Sequence, residues 1–80
     1  MSTLAHVPAG SRAVVAGLPW GRGLARRLIA LGLAPGSEVY VVQNRGRGPL
    51  IVEVHGARLA IGRGQAEQVT VRPVEGDSDV

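Results

Sequence analysis

Two periodicities divide the chain. From residue 24 to residue 31 apolar side chains recur every three or four positions; from residue 38 to residue 72 they alternate with polar ones or bunch into short runs. In the first stretch Leu24, Leu28 and Leu31 stand at i, i+4 and i+7, which puts them on one face of a helix. Arg22 and Arg26 point the other way, with Arg27 at the margin. Gly32 follows the last leucine, and glycine suits the left-handed backbone that ends many helices because it has no Cβ to clash. Such a cap brings Leu33 back onto Leu28. Pro35-Gly36 then predicts a type II turn, proline fixing φ at the first corner and glycine accepting positive φ at the second.

The remaining pattern predicts strands. A valine-containing run, residues 11–18, is bounded by Gly10 and Pro19 and precedes the helix. After it come residues 38–44, rich in β-branched side chains, and a hairpin loop, Arg45-Gly46-Arg47-Gly48. In residues 50–55, Leu50, Val52 and Val54 alternate with Ile51, Glu53 and His55, giving one apolar and one mixed face. Residues 58–62 and 68–72 complete the set, joined by a glycine-containing corner at residues 62–65; Val69 and Val71 are the expected core positions of the last strand. Five strands with one helix after the first predict a mainly β fold, a small, partly open SH3-like barrel. The domain is expected to span residues 1–73. Residues 74–80 carry acids, glycine and serine with little to bury and are expected to form a disordered acidic tail.

Composition narrows the chemistry. Eighty residues make one domain, which buries only about 60–65% of the surface its unfolded chain exposes. A deep catalytic cleft would compete with the core for the same side chains. Cysteine is absent, which removes disulfides and thiolate metal sites and favours a reducing compartment. The N-terminus has neither the basic region nor the apolar run of a signal peptide, and no stretch reaches the ~18 apolar residues of a membrane span. A cytoplasmic protein is the expectation. All nine basic residues are arginine, and three of the six acids, Glu75, Asp77 and Asp79, lie in the tail. The body therefore sets nine arginines against Glu38, Glu53 and Glu67, a formal +6. Such a body suits nucleic acid, an anionic membrane surface or an acidic protein face.

Catalytic groups are scarce. There is no thiol nucleophile and no lysine, and the only aspartates sit in the tail, so a Ser-His-Asp triad has no fixed third member. Gly21-Arg22-Gly23-Leu24-Ala25-Arg26 imitates a dinucleotide fingerprint, but Arg26 replaces the third glycine and no acid follows about 20 residues on. Glu53 and His55, two apart on a predicted strand, face one side and are the weak candidates for a divalent transition metal; nothing nearby completes a ligand set. No cofactor is required by the pattern. A nucleic-acid reading draws on Arg45, Arg47, Arg58, Arg63 and Arg72. Only Trp20 and Tyr40 are available to stack on bases.

Arg26-Arg27-Leu28-Ile29-Ala30-Leu31-Gly32-Leu33-Ala34-Pro35-Gly36-Ser37-Glu38-Val39 resembles the most characteristic stretch of the FeoA domain. Gly48-Pro49-Leu50, residues 56–63 and residues 66–71 are similar in order and spacing, so the likeness covers roughly residues 4–72. It implies an SH3-like barrel and a non-enzymatic accessory role in bacterial ferrous-iron transport. It also implies a partner, the cytoplasmic GTP-binding part of the FeoB transporter. The signature residues map onto Leu28, Leu31, Gly32, Leu33, Pro35 and Gly36, which build the helix, its cap and the core. The expected partner contacts are Trp20, Arg22 and Arg26 at the helix entry, with Arg45 and Arg47 on the hairpin. A similar domain ends the metal-dependent repressors of the diphtheria-toxin-repressor type, so a transition-metal-responsive role is an alternative, beside binding of nucleic acid.

Overall fold

The computed structural model describes residues 2–19 and 23–74. Strand β1 (Ser2–Thr3) runs into a short 3-10 turn (Leu4–His6); β2 (Arg12–Gly17) and α1 (Leu24–Ala30) follow. Then come β3 (Glu38–Gln43), β4 (Leu50–Val54), β5 (Ala57–Ile61), α2 (Arg63–Ala66) and β6 (Thr70–Pro73). The six strands form one sheet in the order β1-β6-β2-β3-β4-β5, every neighbouring pair antiparallel. Register shifts between Val15 and Gly17 and between Val41 and Gln43 interrupt the ladders; such irregularities bend a strand and tighten its twist. The sheet curls without closing, with β1 and β5 as its edges.

Two features depart from the expected five-stranded barrel. The sixth strand is β1, two residues whose partners, Val71 and Thr70, lie at the other end of the chain. The corner expected at residues 62–65 is instead the single turn α2, which buries Ala66. The alternation in β4 is as read: Leu50, Val52 and Val54 are buried, Ile51 and Glu53 half-buried. The strand stops at Val54, however, and His55 enters the next turn with φ +53°. The two-residue spacing of Glu53 and His55 therefore no longer places them on one strand face.

The helix ends as its sequence dictates. Gly32 has φ +100°, its N–H donates to Ile29 O at 2.9 Å, and the Leu33 N–H donates to Leu28 O at 2.9 Å. This pair of hydrogen bonds is the glycine-capped helix end that satisfies otherwise unpaired carbonyls. Leu28 and Leu33 are both buried. Ser37 N–H to Ala34 O, 2.9 Å, with Gly36 at φ +94°, closes the Pro35-Gly36 turn. Leu31 differs from expectation. The helix ends at Ala30, Leu31 becomes the cap residue, and its side chain is 44% exposed. The inward place that a third leucine would take in a longer helix goes to Leu33, returned over Leu28 by Gly32. The core is wholly aliphatic: Leu4, Val15, Leu28, Leu33, Val39 and Val41 pack with Leu50, Val52, Ile61 and Val69. Among the described residues no polar or charged side chain is buried.

Candidate partner-binding surface

Helix α1 carries seven residues, and only Leu28 is buried, with Leu24 packed against the core edge. Its outward side presents Arg26, Arg27, Ile29 and Ala30, continued by Leu31. Ile29 is 49% exposed and Leu31 44%. The helix has no acidic residue. Two large aliphatic side chains, each about half in water beside two arginines, forgo roughly half of the ~1.5–3 kcal/mol that full burial would bring each of them. Apolar anchors rimmed by arginine are typical of the energetic centre of a protein interface.

The expected contact residues divide into two places. Gly32 sits against Val54 and His55; a Cβ built on it would stand 3.1 Å from His55 Cδ2 and 3.3 Å from Val54 Cγ1. The end of α1 thus lies over the Val54 end of β4. Arg45 and Arg47 are exposed on the loop that leads into the opposite, Leu50 end, about 13 Å away at the rise of an extended strand. Arg26 lies on α1, and Arg45 and Arg47 lie on the hairpin loop. Trp20 and Arg22 lie outside the described residues, as do residues 75–80 of the expected acidic tail.

The loop is held by a hydrogen-bond cluster invisible to pattern reading. Asn44 Nδ2 donates to Ala5 O and Val7 O, each at 2.9 Å, and its Oδ1 accepts from Gly46 N at 3.0 Å and Arg63 Nη2 at 2.7 Å. Arg63 Nε also donates to Gly48 O at 3.0 Å. Arg63 is thereby a tie between α2, the hairpin loop and the N-terminal turn, and its donors are directed inward to protein oxygens.

The sheet face carries mixed charge. Cross-strand pairing sets Arg12, Tyr40, Glu53 and Arg58 in one row over four strands, with Glu38 next to Tyr40 along β3. Arg12 pairs with Glu38 at 3.5 Å. Two glutamates within the row and beside it repel a phosphate backbone from the described aromatic ring best placed to stack. For metal, no group of three or more His, Cys, Asp or Glu gathers among the described residues. The His55 ring instead approaches the Ser37 hydroxyl, Nε2 to Oγ 3.4 Å. A groove of ≈ 440 Å³ between the N-terminal turn and β2–β6 is lined by His6, Arg12 and Arg72 among small and apolar residues, without a carboxylate. No helix among the described residues is long and apolar enough to cross a membrane.

Residues 2–73 match the FeoA domain family. A protein of Methanocaldococcus jannaschii, provisionally named Fe(2+) transport protein A, is 35% identical over 75 residues, 94% of this chain and 90% of that one. The zinc-complexed FeoA of Stenotrophomonas maltophilia, described as a prokaryotic SH3 domain protein, is 36% identical over 89% of each chain, with a TM-score of 0.74. The solution structure of FeoA from Chlorobium tepidum is 32% identical and superposes with a TM-score of 0.82, covering 96% of this chain and 74% of that one.

Proposed function

The chain belongs to the FeoA domain family, whose members are accessory proteins of ferrous-iron transport, and on that premise we propose that it binds and modulates the cytoplasmic GTP-binding part of a FeoB-type transporter. The observation that carries this reading is the outward face of α1. The family's signature helix spends one leucine on the core and leaves Ile29 and Leu31 exposed beside Arg26 and Arg27. Arg26 and Arg27 supply steering toward an acidic partner and Ile29 and Leu31 the area that desolvates on contact. The hairpin arginines, Arg45 and Arg47, together with Trp20 and Arg22, are secondary candidates for the same partner.

The action is binding, without turnover, and takes place in the cytoplasm. Of the described carboxylates, Glu38 and Glu53 flank Tyr40 on the sheet face with Arg12 and Arg58 beside them, and Glu67 stands at the end of α2. Titration against the cytoplasmic part of FeoB tests the site. The paired variant Ile29→Gln, Leu31→Gln should weaken binding at least about tenfold, the scale of a single interface anchor, and Arg26→Glu should weaken it most at low salt. Unchanged affinity in both would remove α1 as the contact. A divalent transition metal is suggested by the zinc-bound relative, but the turn at His55 leaves Glu53 and His55 without the shared strand face that made them candidate ligands. Calorimetry with Zn²⁺ and Fe²⁺ giving equal heats for the parent and His55→Ala would eliminate that pair.

A further inference from the structure

The two edges of the open sheet are unlike. β1 is a two-residue strand, the kind of short edge that natural proteins use to discourage pairing. β5 has five residues, no proline, and an unbroken register with β4 from Val54↔Ala57 to Leu50↔Ile61. Which of its backbone groups face outward follows from the turn. His55 and Gly56 have φ +53° and +81°, the two positive values of a type I′ hairpin. That turn makes Val54 and Ala57 a hydrogen-bonded pair, and the antiparallel alternation then bonds Val52 to Leu59 and Leu50 to Ile61. Arg58 and Ala60 are the non-bonded positions, so their N–H and C=O groups point away from β4. Both residues are exposed, and among the described residues no hydrogen bond outside the sheet reaches those groups.

We infer that the β5 edge receives an extended acidic segment of a partner protein as an added strand. The inference rests on the reading that this chain works by protein contact, and it assigns a second site, on a different element from α1. Backbone pairing at Arg58 and Ala60 supplies four hydrogen bonds irrespective of sequence. Side chains supply the selection. Arg58 projects on the outer face, where a carboxylate directly opposite lies within reach of its guanidinium. Leu59 faces inward, half-buried against the core, and favours an apolar neighbour. Ala60 leaves space on the outer face. The fitting segment therefore alternates acidic and apolar residues. Charge disfavours edge-to-edge pairing with a second copy: through residue 73 nine arginines stand against three glutamates, so two such bodies repel. Glu53 lies across from Arg58 in β4 and sets a limit on how many carboxylates the edge accepts.

The test uses the full chain and a synthetic N-acetylated, C-amidated peptide alternating glutamate and valine, with a lysine–valine peptide as control. Amide exchange at Arg58 and Ala60 should slow at least about tenfold on saturation with the glutamate peptide, while amides already paired to β4 change little. Arg58→Glu should weaken the peptide at least about tenfold. Ala60→Pro deletes an outward N–H and no bond to β4, so it should abolish binding while thermal unfolding stays cooperative; if it does not fold, Arg58→Glu still decides. Equal binding of the lysine peptide, protection elsewhere, or no protection would overturn the inference. So would protection of the same two amides that rises with protein concentration alone, which would identify a homodimer. The Ile29→Gln, Leu31→Gln variant should bind the peptide as the parent does, so failure at β5 and failure at α1 are read separately.

Discussion

The two ends of β4 are held by different physics. At the Val54 end, α1 is fastened by contacts between residues near in sequence: the Gly32 and Leu33 amides bond back to Ile29 and Leu28, and the aliphatic side chains bury together. At the Leu50 end, the hairpin loop is fastened by polar groups drawn from distant parts of the chain, Asn44 reaching Ala5 and Val7 while Arg63 reaches Gly48. One end relies on burial and a backbone conformation open to glycine; the other adds, to buried Ala5, Val7 and Leu50, hydrogen bonds between groups far apart in the chain. A small domain with an aliphatic core and few aromatics thus secures its sheet twice, and damage at either end should have a distinct size and signature.

The largest loss is expected at the apolar end. Leu28 is 1% exposed and touches the centre of the core, so Leu28→Ala should lower unfolding free energy by about 2–5 kcal/mol in chemical denaturation. A loss under about 0.5 kcal/mol, the scale of a surface change, would contradict the packing of α1. Gly32→Ala comes next. It removes no contact, yet it puts a Cβ where φ is +100° and where His55 and Val54 stand within 3.1 and 3.3 Å. The backbone cost alone is about 1–3 kcal/mol, and the close approach adds to it. If Gly32→Ala were neutral, the cap would have to rearrange without loss, and the comparison of the two ends would lose its basis.

The polar end should respond less. Asn44→Ala strips a donor from two carbonyls and an acceptor from Arg63 and Gly46, a loss of about 1–3 kcal/mol if the freed groups stay dry. The loop is partly open to solvent, which places the expected value at the lower end. The sharper signature is local: amide exchange at Gly46 should accelerate while β3 and β4 hold. Global unfolding with no change in loop exchange would mean that Asn44 supports the whole barrel and not the loop.

That division also explains what was legible beforehand. The helix, its glycine cap, the Pro35-Gly36 turn and the alternation of β4 are recorded within a few neighbouring residues, so periodicity and turn chemistry recover them. Asn44 and Arg63 act across separations of 39 and 58 positions on the Ala5 carbonyl, and nothing local distinguishes them from any loop asparagine or surface arginine. β1 escaped for the same reason, two residues defined only by their partner strand. Leu31 was misplaced because i, i+4, i+7 spacing assumes that the helix continues, whereas the cap stops it one residue early. Of the candidate contacts, the exposure of Ile29 was hidden inside the family signature, where an apolar residue reads as core.

The smallest expected effect separates fold from contact. Leu31→Gln replaces a side chain 44% exposed by one of similar length, at a cap position that tolerates polar residues, so the unfolding free energy should move by no more than about 0.5 kcal/mol. A residue that contributed to the core, as its spacing in the helix suggests, would instead cost about 2 kcal/mol or more. Denaturant titration of this one variant therefore decides which force acts on Leu31. Near-zero change leaves its hydrophobicity unexplained by folding, and the burial that a leucine forgoes in the free protein then becomes available to a partner laid against α1.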